Sequence, residues 1–213
     1  MRTSTILIAD DHLLVRKGLR SLLETESSWK VVAEASNGRE ALVKAKQFRP
    51  DLAILDISMP ELNGLGASRL ILKALPQTRV LILTMHNAEY LVERMLKAGA
   101  RGYVLKSDAE RDLFAAVEAV LRNKTFFTPA ASEPALNLLR RGTGNNVTQT
   151  LTTRETEVVQ LIAEGKSNKE VAAILGVSKR TVEHHRANIM VKLRLHSSTQ
   201  LVLFAVRNKI VAA

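Results

Sequence analysis

The chain contains no cysteine and few aromatic residues. Its 213 residues include one tryptophan, two tyrosines and five phenylalanines, which together make up 4% of the composition. The absence of cysteine excludes disulfides, metal sites held by thiolates and a cysteine nucleophile, and it suits a reducing compartment.

Long hydrophobic segments are absent as well. No apolar run approaches the roughly 20 residues that a membrane-spanning helix requires. The N-terminal sequence MRTSTILIADD lacks the apolar core and cleavage site of a signal peptide, so we expect a cytoplasmic protein without a membrane partner. A hydrophobic content of 46% and a charged content of 24% are those of an ordinary globular protein.

The net charge of +10 is unevenly distributed. Residues 151–213 hold ten basic and five acidic side chains, so less than a third of the length carries half of the positive excess. Such an excess favours a polyanionic partner for the C-terminal end. Many soluble proteins are mildly basic, however, so charge alone does not establish one.

Five short apolar runs alternate with segments of helical periodicity in the first part of the chain. The predicted strands are 4–9, 29–35, 52–56, 79–84 and 100–106, and a helix follows each of them. Alternating strands and helices form a parallel sheet that is covered on both faces, with right-handed crossovers. We therefore predict a doubly wound α/β domain with a five-stranded parallel sheet over residues 1–125.

Polar side chains follow four of these strands at the point where each strand ends. Because the carboxyl ends of parallel strands meet at one edge of the sheet, we expect these side chains to lie together. They are Asp10, Asp11, Asp56, Thr84 and Lys106.

The predicted cluster suggests phosphoryl chemistry. Crowded carboxylates repel one another unless a cation lies between them, and oxygen ligands with room for water suit Mg²⁺. Beside such an ion Asp56 could act as a nucleophile, while the charge of Lys106 and the hydroxyl of Thr84 could bind phosphoryl oxygens. Taken singly, each residue could be an ordinary strand-end cap or surface charge; their arrival together favours a site.

The end of the chain predicts a small all-α domain. Residues 126–147 are rich in turn-forming residues and are expected to form a short helix at 135–141 and a flexible linker. Residues 148–213 contain four helical segments; Thr152 or Thr153 caps the first, and Ser178 caps the longest. Between the second and third helices Gly176 permits a tight turn, a pattern typical of a helix-turn-helix, although other helix pairs could imitate it.

The two halves of the chain resemble two known families. The blocks ILIADDH, LDISMP, LILT and GYVLK resemble those of response-regulator receiver domains, over about 125 residues. The block LTTRETEVVQLIAEGKSNKEVAAILGVSKRTVEHHRANIMVKL resembles the LuxR-type DNA-binding domain of the NarL/FixJ class of response regulators, across 148–210. The resemblance implies a flavodoxin-like receiver domain joined to a four-helix LuxR-type helix-turn-helix domain.

The resemblance gives roles to the acidic residues. Asp56 would accept a phosphoryl group from a sensor histidine kinase or a small phosphodonor. Mg²⁺ would be bound directly by Asp11 and Asp56, by the backbone carbonyl of Ser58, and mostly through water by Asp10.

Three further residues would respond to the phosphoryl group. Thr84 would be the switch hydroxyl, Lys106 the phosphate-binding lysine, and Tyr103 the aromatic residue that turns inward on activation. Many receivers have a cis Lys-Pro bond where this chain has Lys106-Ser107, which leaves the local backbone open. His86 stands where the family tunes the lifetime of the phosphoryl group; it could be a general base or a plain, partly exposed histidine.

The longest predicted helix would present a DNA-reading face. Arg180 and His184 share this face with Glu183, which could accept from a cytosine amine, and with Ala187, which could meet a thymine methyl group. His185 would mainly pack or contact phosphate. The residues expected to follow phosphates are Lys179, Thr181, Arg186, Asn188 and Lys192, with Lys169 and Thr153 more weakly. A solvated helix face is the alternative for each charge.

The last predicted helix, capped by Ser197 or Ser198, carries an apolar stripe. The stripe consists of Leu201, Val202, Ala205 and Val206. The resemblance implies that this helix pairs with its twin, so that a homodimer binds paired half-sites. Completion of the small core accounts for the stripe equally well.

The sequence thus predicts a phosphorylation-controlled transcription regulator of a two-component system. Its chemistry would act only on itself, at Asp56, so we do not expect an enzyme with a turnover substrate. The alternatives are a receiver-type phosphorelay or protein-interaction module, a small-molecule-binding flavodoxin-like domain, and a DNA-binding regulator that works without phosphorylation.

Overall fold

The structure is a computed structural model that describes residues 3–85, 89–128, 151–208 and 210–211, with the backbone alone at 89–91. The predicted helix at 135–141, the linker that follows it and His86 lie outside the described residues. The chain divides into two compact units, an N-terminal α/β unit and a C-terminal helical unit. Among the described residues, no helix combines the length and the apolar character needed to cross a membrane.

The N-terminal unit is built on a parallel sheet with the strand order β2-β1-β3-β4-β5-β6. Its strands are β1 (Ser4–Ala9), β2 (Trp29–Ala35), β3 (Leu52–Asp56), β4 (Arg79–Thr84), β5 (Gly102–Leu105) and β6 (Phe126–Phe127). The predicted α/β class is confirmed, but the predicted count of five strands is wrong. The sixth strand pairs in parallel with β5 and lies beyond the domain boundary expected at 125.

The described residues of this unit form five α-helices between and after the strands. They are α1 (Leu13–Leu23), α2 (Gly38–Phe48), α3 (Gly64–Ala74), α4 (Glu89–Lys97) and α5 (Ala109–Leu121). Every residue of β3 is buried, as expected for a central strand with helices on both faces. The aliphatic side chains of β1, β3 and β4 form one core with those of α5, and burial of each methylene stabilises it by about 0.8 kcal/mol.

A side-chain clasp aligns the two strands that carry the acidic residues. Both the backbone N–H and the hydroxyl of Thr5 donate to Asp51 Oδ2, at 2.8 and 2.9 Å. The clasp lies just before the register that pairs Ile6 with Leu52 and ends with Ala9 opposite Leu55. The residues that follow, Asp10 and Asp56, are thereby brought to the same edge of the sheet.

The described residues of the C-terminal unit form four helices, the number predicted. They are α6 (Thr153–Ala163), α7 (Asn168–Leu175), α8 (Lys179–Leu193) and α9 (Ser198–Arg207). Each begins at a hydroxyl side chain that accepts from a backbone N–H of the first turn; the caps are Thr152, Ser167, Ser178 and Ser197. α7 ends at Gly176, whose φ of 64° lies in the left-handed region that a glycine adopts without strain.

The four residues of the apolar stripe on α9, which was predicted to form a dimer contact, differ in their burial. Leu201 and Ala205 are fully buried in the core of the helical unit, together with side chains of α6, α7 and α8. Their burial agrees with the alternative that the stripe completes the small core, and pairing through α9 stays a prediction. Val202 and Val206 remain partly exposed on α9, and Leu203 is about half exposed.

Gly64, the first residue of α3, lies against the end of β3. A Cβ built at this position would lie 2.0 Å from the backbone oxygen of Asp56 and 2.8 Å from its carbonyl carbon. Both obstacles are backbone atoms, which cannot rotate away. A side chain at position 64 would therefore push α3 away from the strand that carries Asp56.

We expect Gly64→Ala to lower the free energy of unfolding of the N-terminal unit by about 3 kcal/mol, because the added methyl overpacks a rigid site. The measurement is urea unfolding followed by the fluorescence of Trp29, which is the single tryptophan and lies 5.3 Å from the ring of Phe114.

Gly18→Ala, within α1, is the matched control. A Cβ at Gly18 meets no atom within 4 Å, so this substitution is expected to be neutral or to stabilise by up to about 1 kcal/mol. Equal losses for the two variants would contradict the steric argument.

Candidate functional site

Two buried carboxylates lie beside one ammonium group at the carboxyl edge of the sheet. Asp10 follows β1, Asp56 ends β3, and both are almost inaccessible to solvent. Lys106, which follows β5, places its Nζ 2.6 Å from Asp10 Oδ2 and 3.2 Å from Asp56 Oδ2. Thr84, at the end of β4, is also fully buried. The structure thus places these predicted residues at the ends of four neighbouring strands.

The surroundings of Asp56 disfavour its ionised form, and the positive charge of Lys106 offsets this effect only in part. Burial raises the pKa of this carboxyl to about 6; Lys106 opposes the shift, while Asp10 and Asp11 add to it. At neutral pH Asp56 is consequently ionised, but its charge is poorly solvated. A carboxylate that few water molecules solvate is a stronger nucleophile than one in bulk water.

The outer side of the pocket is formed by Asp10, Asp11 and His12. His12 Nδ1 lies 2.8 Å from Asp11 Oδ1 and 3.4 Å from Asp10 Oδ1. One ligand atom from each of the three residues lies within 4.8 Å of the others, so the group could hold a metal ion. This donor set fits a divalent cation. Sequence reasoning missed His12, although its position next to an Asp-Asp pair was a signal.

Three predicted residues flank this cluster. Ser58 is half buried in the loop that follows β3. Tyr103 is fully buried within β5, and burial raises the pKa of its hydroxyl to about 12. The described residues contain no cis peptide bond, so the Lys106–Ser107 bond is trans, and Lys106 begins a short 3₁₀ turn that leads into α5.

In the C-terminal unit, α8 has one buried face and one exposed face. Val182 and Ile189 are buried, while His185 is half buried, which leaves open whether it packs or contacts phosphate. The residues exposed on the other face are Lys179, Arg180, Glu183, His184, Ala187 and Asn188. The predicted reading face is therefore exposed to solvent. Thr181 is half buried near the start of the helix, Thr153 is half buried at the start of α6, and Lys169 is exposed on α7.

Two basic residues of α8 are engaged inside the helical unit. Lys192 Nζ lies 2.8 Å from both carboxylate oxygens of Glu155, which is buried in the first turn of α6. Burial alone would raise the pKa of Glu155, but hydrogen bonds from Lys192 and Thr152 hold it below its usual value. Arg186 donates to Ser198 Oγ at 2.5 Å. These side chains join α8 to α6 and α9.

Comparisons with known proteins agree with this division. Residues 6–118 match the family of response regulator receiver domains, and residues 149–205 match the luxR family of bacterial regulatory proteins. The chain therefore belongs to the response regulators, with a receiver domain followed by a LuxR-type DNA-binding domain.

Individual relatives extend over almost the whole chain. The oxygen regulatory protein NreC of Staphylococcus carnosus is 40% identical over 212 residues, which cover 96% of this chain and 98% of NreC. The response regulator VraR of Staphylococcus aureus is 36% identical over 209 residues, covering 98% and 99%. A structure of the RcsB response regulator of Salmonella typhimurium superposes with a TM-score of 0.65 at 27% identity and covers 100% of both chains.

The raised pKa of Asp56 predicts how the stability of the metal-free protein depends on pH. The unfolded chain loses this proton near its ordinary value of 3.8, whereas the folded domain keeps it until about pH 6. Ionisation therefore costs stability as the pH rises through this range. The stability that Asp56→Asn gains over wild type should therefore be larger at pH 7.5 than at pH 4, by about 2.5 kcal/mol.

Urea unfolding of both proteins at the two pH values, monitored by Trp29 fluorescence, measures this difference. Asp112→Asn is the control of opposite sign, since the hydrogen bond from Arg111 lowers the pKa of Asp112 and its loss should not stabilise at pH 7.5. A stability difference for Asp56→Asn that is independent of pH would contradict the raised pKa.

Proposed function

We propose that this response regulator is switched by phosphorylation of Asp56. The observation that supports it is the position of this carboxylate, buried at the end of β3 with Lys106 Nζ 3.2 Å away. Such a group is desolvated enough to be a good nucleophile and lies beside a positive charge that can receive a phosphoryl group.

In the proposed reaction a carboxylate oxygen of Asp56 attacks the phosphorus of a phosphohistidine on a sensor kinase, or of a small acyl phosphate. The new bond is a carboxyl oxygen–phosphorus bond; the bond from phosphorus to the donor breaks, and its electron pair leaves with the donor. Asp11 and Asp56, the carbonyl of Ser58 and, through water, Asp10 would hold a Mg²⁺, which when bound neutralises the oxygens of the transferred group. The reaction modifies the protein itself, so we assign it no turnover substrate.

Transfer would redistribute the contacts of Lys106. The ammonium now shared by Asp10 and Asp56 would bind a phosphoryl oxygen, and the hydroxyl of Thr84 would donate to another. Both residues lie at the ends of β4 and β5, and Tyr103 is buried within β5. The modification would thus favour one of two pre-existing arrangements of this side of the sheet.

The output would be binding to paired promoter half-sites by a homodimer in the cytoplasm. The exposed face of α8 would enter the major groove, with Glu183 and Ala187 at base edges and basic side chains at phosphates. RcsB supports this reading, because its structure bound to the promoter rprA with a phosphomimetic superposes with a TM-score of 0.64 at 27% identity. Val202 and Val206, which remain partly exposed on α9, would contact the partner.

Incubation with acetyl phosphate and Mg²⁺ should add the mass of one phosphoryl group to the wild type and none to Asp56→Asn. Intact-mass spectrometry measures the adduct, and light scattering on the same samples should show a shift to dimer in the wild type alone. Asp112→Asn, in the first turn of α5, is the matched control and should behave as wild type. An adduct that survives in Asp56→Asn would rule out this residue as the acceptor.

For DNA binding we propose that Lys192 stabilises the helical unit and does not contact phosphate, since its charge is already paired with Glu155. Binding to a duplex over a range of salt concentrations reports the number of phosphate contacts. Lys179→Gln should reduce the salt slope by about one, because Lys179 is exposed at the start of α8.

Lys192→Gln should leave the salt slope unchanged and lower the free energy of unfolding of the helical unit by about 1 kcal/mol. The unfolding is measured by circular dichroism. A reduced slope for Lys192→Gln, with unchanged stability, would restore Lys192 to the set of phosphate contacts.

A further inference from the structure

The acidic pocket of the receiver domain has two chemically different sides. On the inner side, the ammonium of Lys106 lies against Asp10 Oδ2 and Asp56 Oδ2. On the outer side, Asp10 Oδ1, Asp11 Oδ1 and His12 Nδ1 come together. The side chains of Asp11 and His12 are 35% and 68% exposed, so a hydrated ion can reach the outer side directly from solvent.

The spacing of the outer donor atoms matches that of ligands on a single ion. His12 Nδ1 lies 2.8 Å from Asp11 Oδ1 and 3.4 Å from Asp10 Oδ1. Two ligands at adjacent positions of an ion with bonds of about 2.1 Å are separated by roughly 3 Å. The imidazole nitrogen therefore already lies where a neighbouring ligand would, before any ion is bound.

An imidazole nitrogen changes which ions such a site prefers. Mg²⁺ favours oxygen ligands and keeps its water molecules, whereas imidazole suits the divalent transition metals. Carboxylate oxygens alone already bind the later divalent metals more tightly than the earlier ones. A nitrogen donor adds affinity that grows along the series from Mn²⁺ to Ni²⁺ and Cu²⁺.

We infer that His12 is a metal ligand of this pocket and gives it a preference for Mn²⁺ and later divalent transition metals over Mg²⁺. The inference rests on the proposed metal site of the phosphorylation switch and adds the identity of the ion. A metal ion can bind Nδ1 only when this atom carries no proton, so in the bound form the proton of neutral His12 would lie on Nε2.

The regulatory consequence is a receiver whose ion depends on the metals available to it. Where a transition metal is scarce, Mg²⁺ would occupy the oxygen ligands and His12 would bind no ion. Where one is present, the same carboxylates would hold it with His12 as an additional ligand. The ion beside Asp56 would then bind the pocket with a different affinity, while Asp56 would remain the nucleophile.

Pulsed electron paramagnetic resonance of Mn²⁺ bound to the full-length protein tests the ligand directly. The wild type should show the nitrogen coupling of one directly bound imidazole, and His12→Gln should bind Mn²⁺ without it. Calorimetric titrations should give an affinity for Ni²⁺ that falls on the order of tenfold or more in His12→Gln, while the affinity for Mg²⁺ is unchanged. His196→Gln, at an exposed histidine of the helical unit, is the matched control and should behave as wild type in both measurements.

A second variant separates this inference from the proposed function. If Asp11→Asn binds neither Mg²⁺ nor Ni²⁺, but Mn²⁺ bound to the wild type shows no nitrogen coupling, the pocket is the metal site and His12 is not a ligand. If Asp11→Asn binds Mg²⁺ and Ni²⁺ as wild type does, the metal site itself is wrong and the inference falls with it. Equal Ni²⁺ affinities for wild type and His12→Gln would also overturn the inference.

Discussion

The pairing of one ammonium with two buried carboxylates is the interaction on which the receiver domain depends. Asp10 and Asp56 are almost fully buried and would repel each other without Lys106 close to both. The three residues come from the ends of β1, β3 and β5, so the pairing requires the strand order and the register of the sheet. The same geometry leaves Asp56 desolvated and next to a positive charge. Folding and chemical competence at this edge thus have one physical origin.

The parts of this structure that the sequence predicted are those encoded locally. The apolar runs predicted the strands β1 to β5. The polar residues at their ends predicted that Asp10, Asp56, Thr84 and Lys106 lie at one edge of the sheet. The strand β6 was missed, because two residues carry no periodicity. The pairing of Lys192 with Glu155 was also missed, and the direction of Leu201 was left open, since a helical stripe does not show which residues lie in the core and which face solvent. Such contacts depend on residues distant in the sequence.

The two units use charge in opposite ways. In the receiver domain Asp10 and Asp56 are buried beside Lys106, so their response depends on an incoming group. In the helical unit, Lys179 and Arg180 stay on the surface, where they can attract a polyanion from a distance. Lys192 lies on the same helix as Lys179 and Arg180, but its charge is paired with the buried Glu155. This ion pair neutralises the charge of Lys192 and joins α6 to α8.

The hydroxyl caps of the helical unit have a consequence for how such proteins arise. Each of its four helices begins at its own serine or threonine, and two of these caps are completed by a glutamate of the first turn, at Glu155 and Glu170. The starting points of the helices are therefore specified within about 60 residues of contiguous sequence, with no instruction needed from the receiver. Recombination can therefore join such a segment to a different sensory domain without changing the residues at which its helices begin.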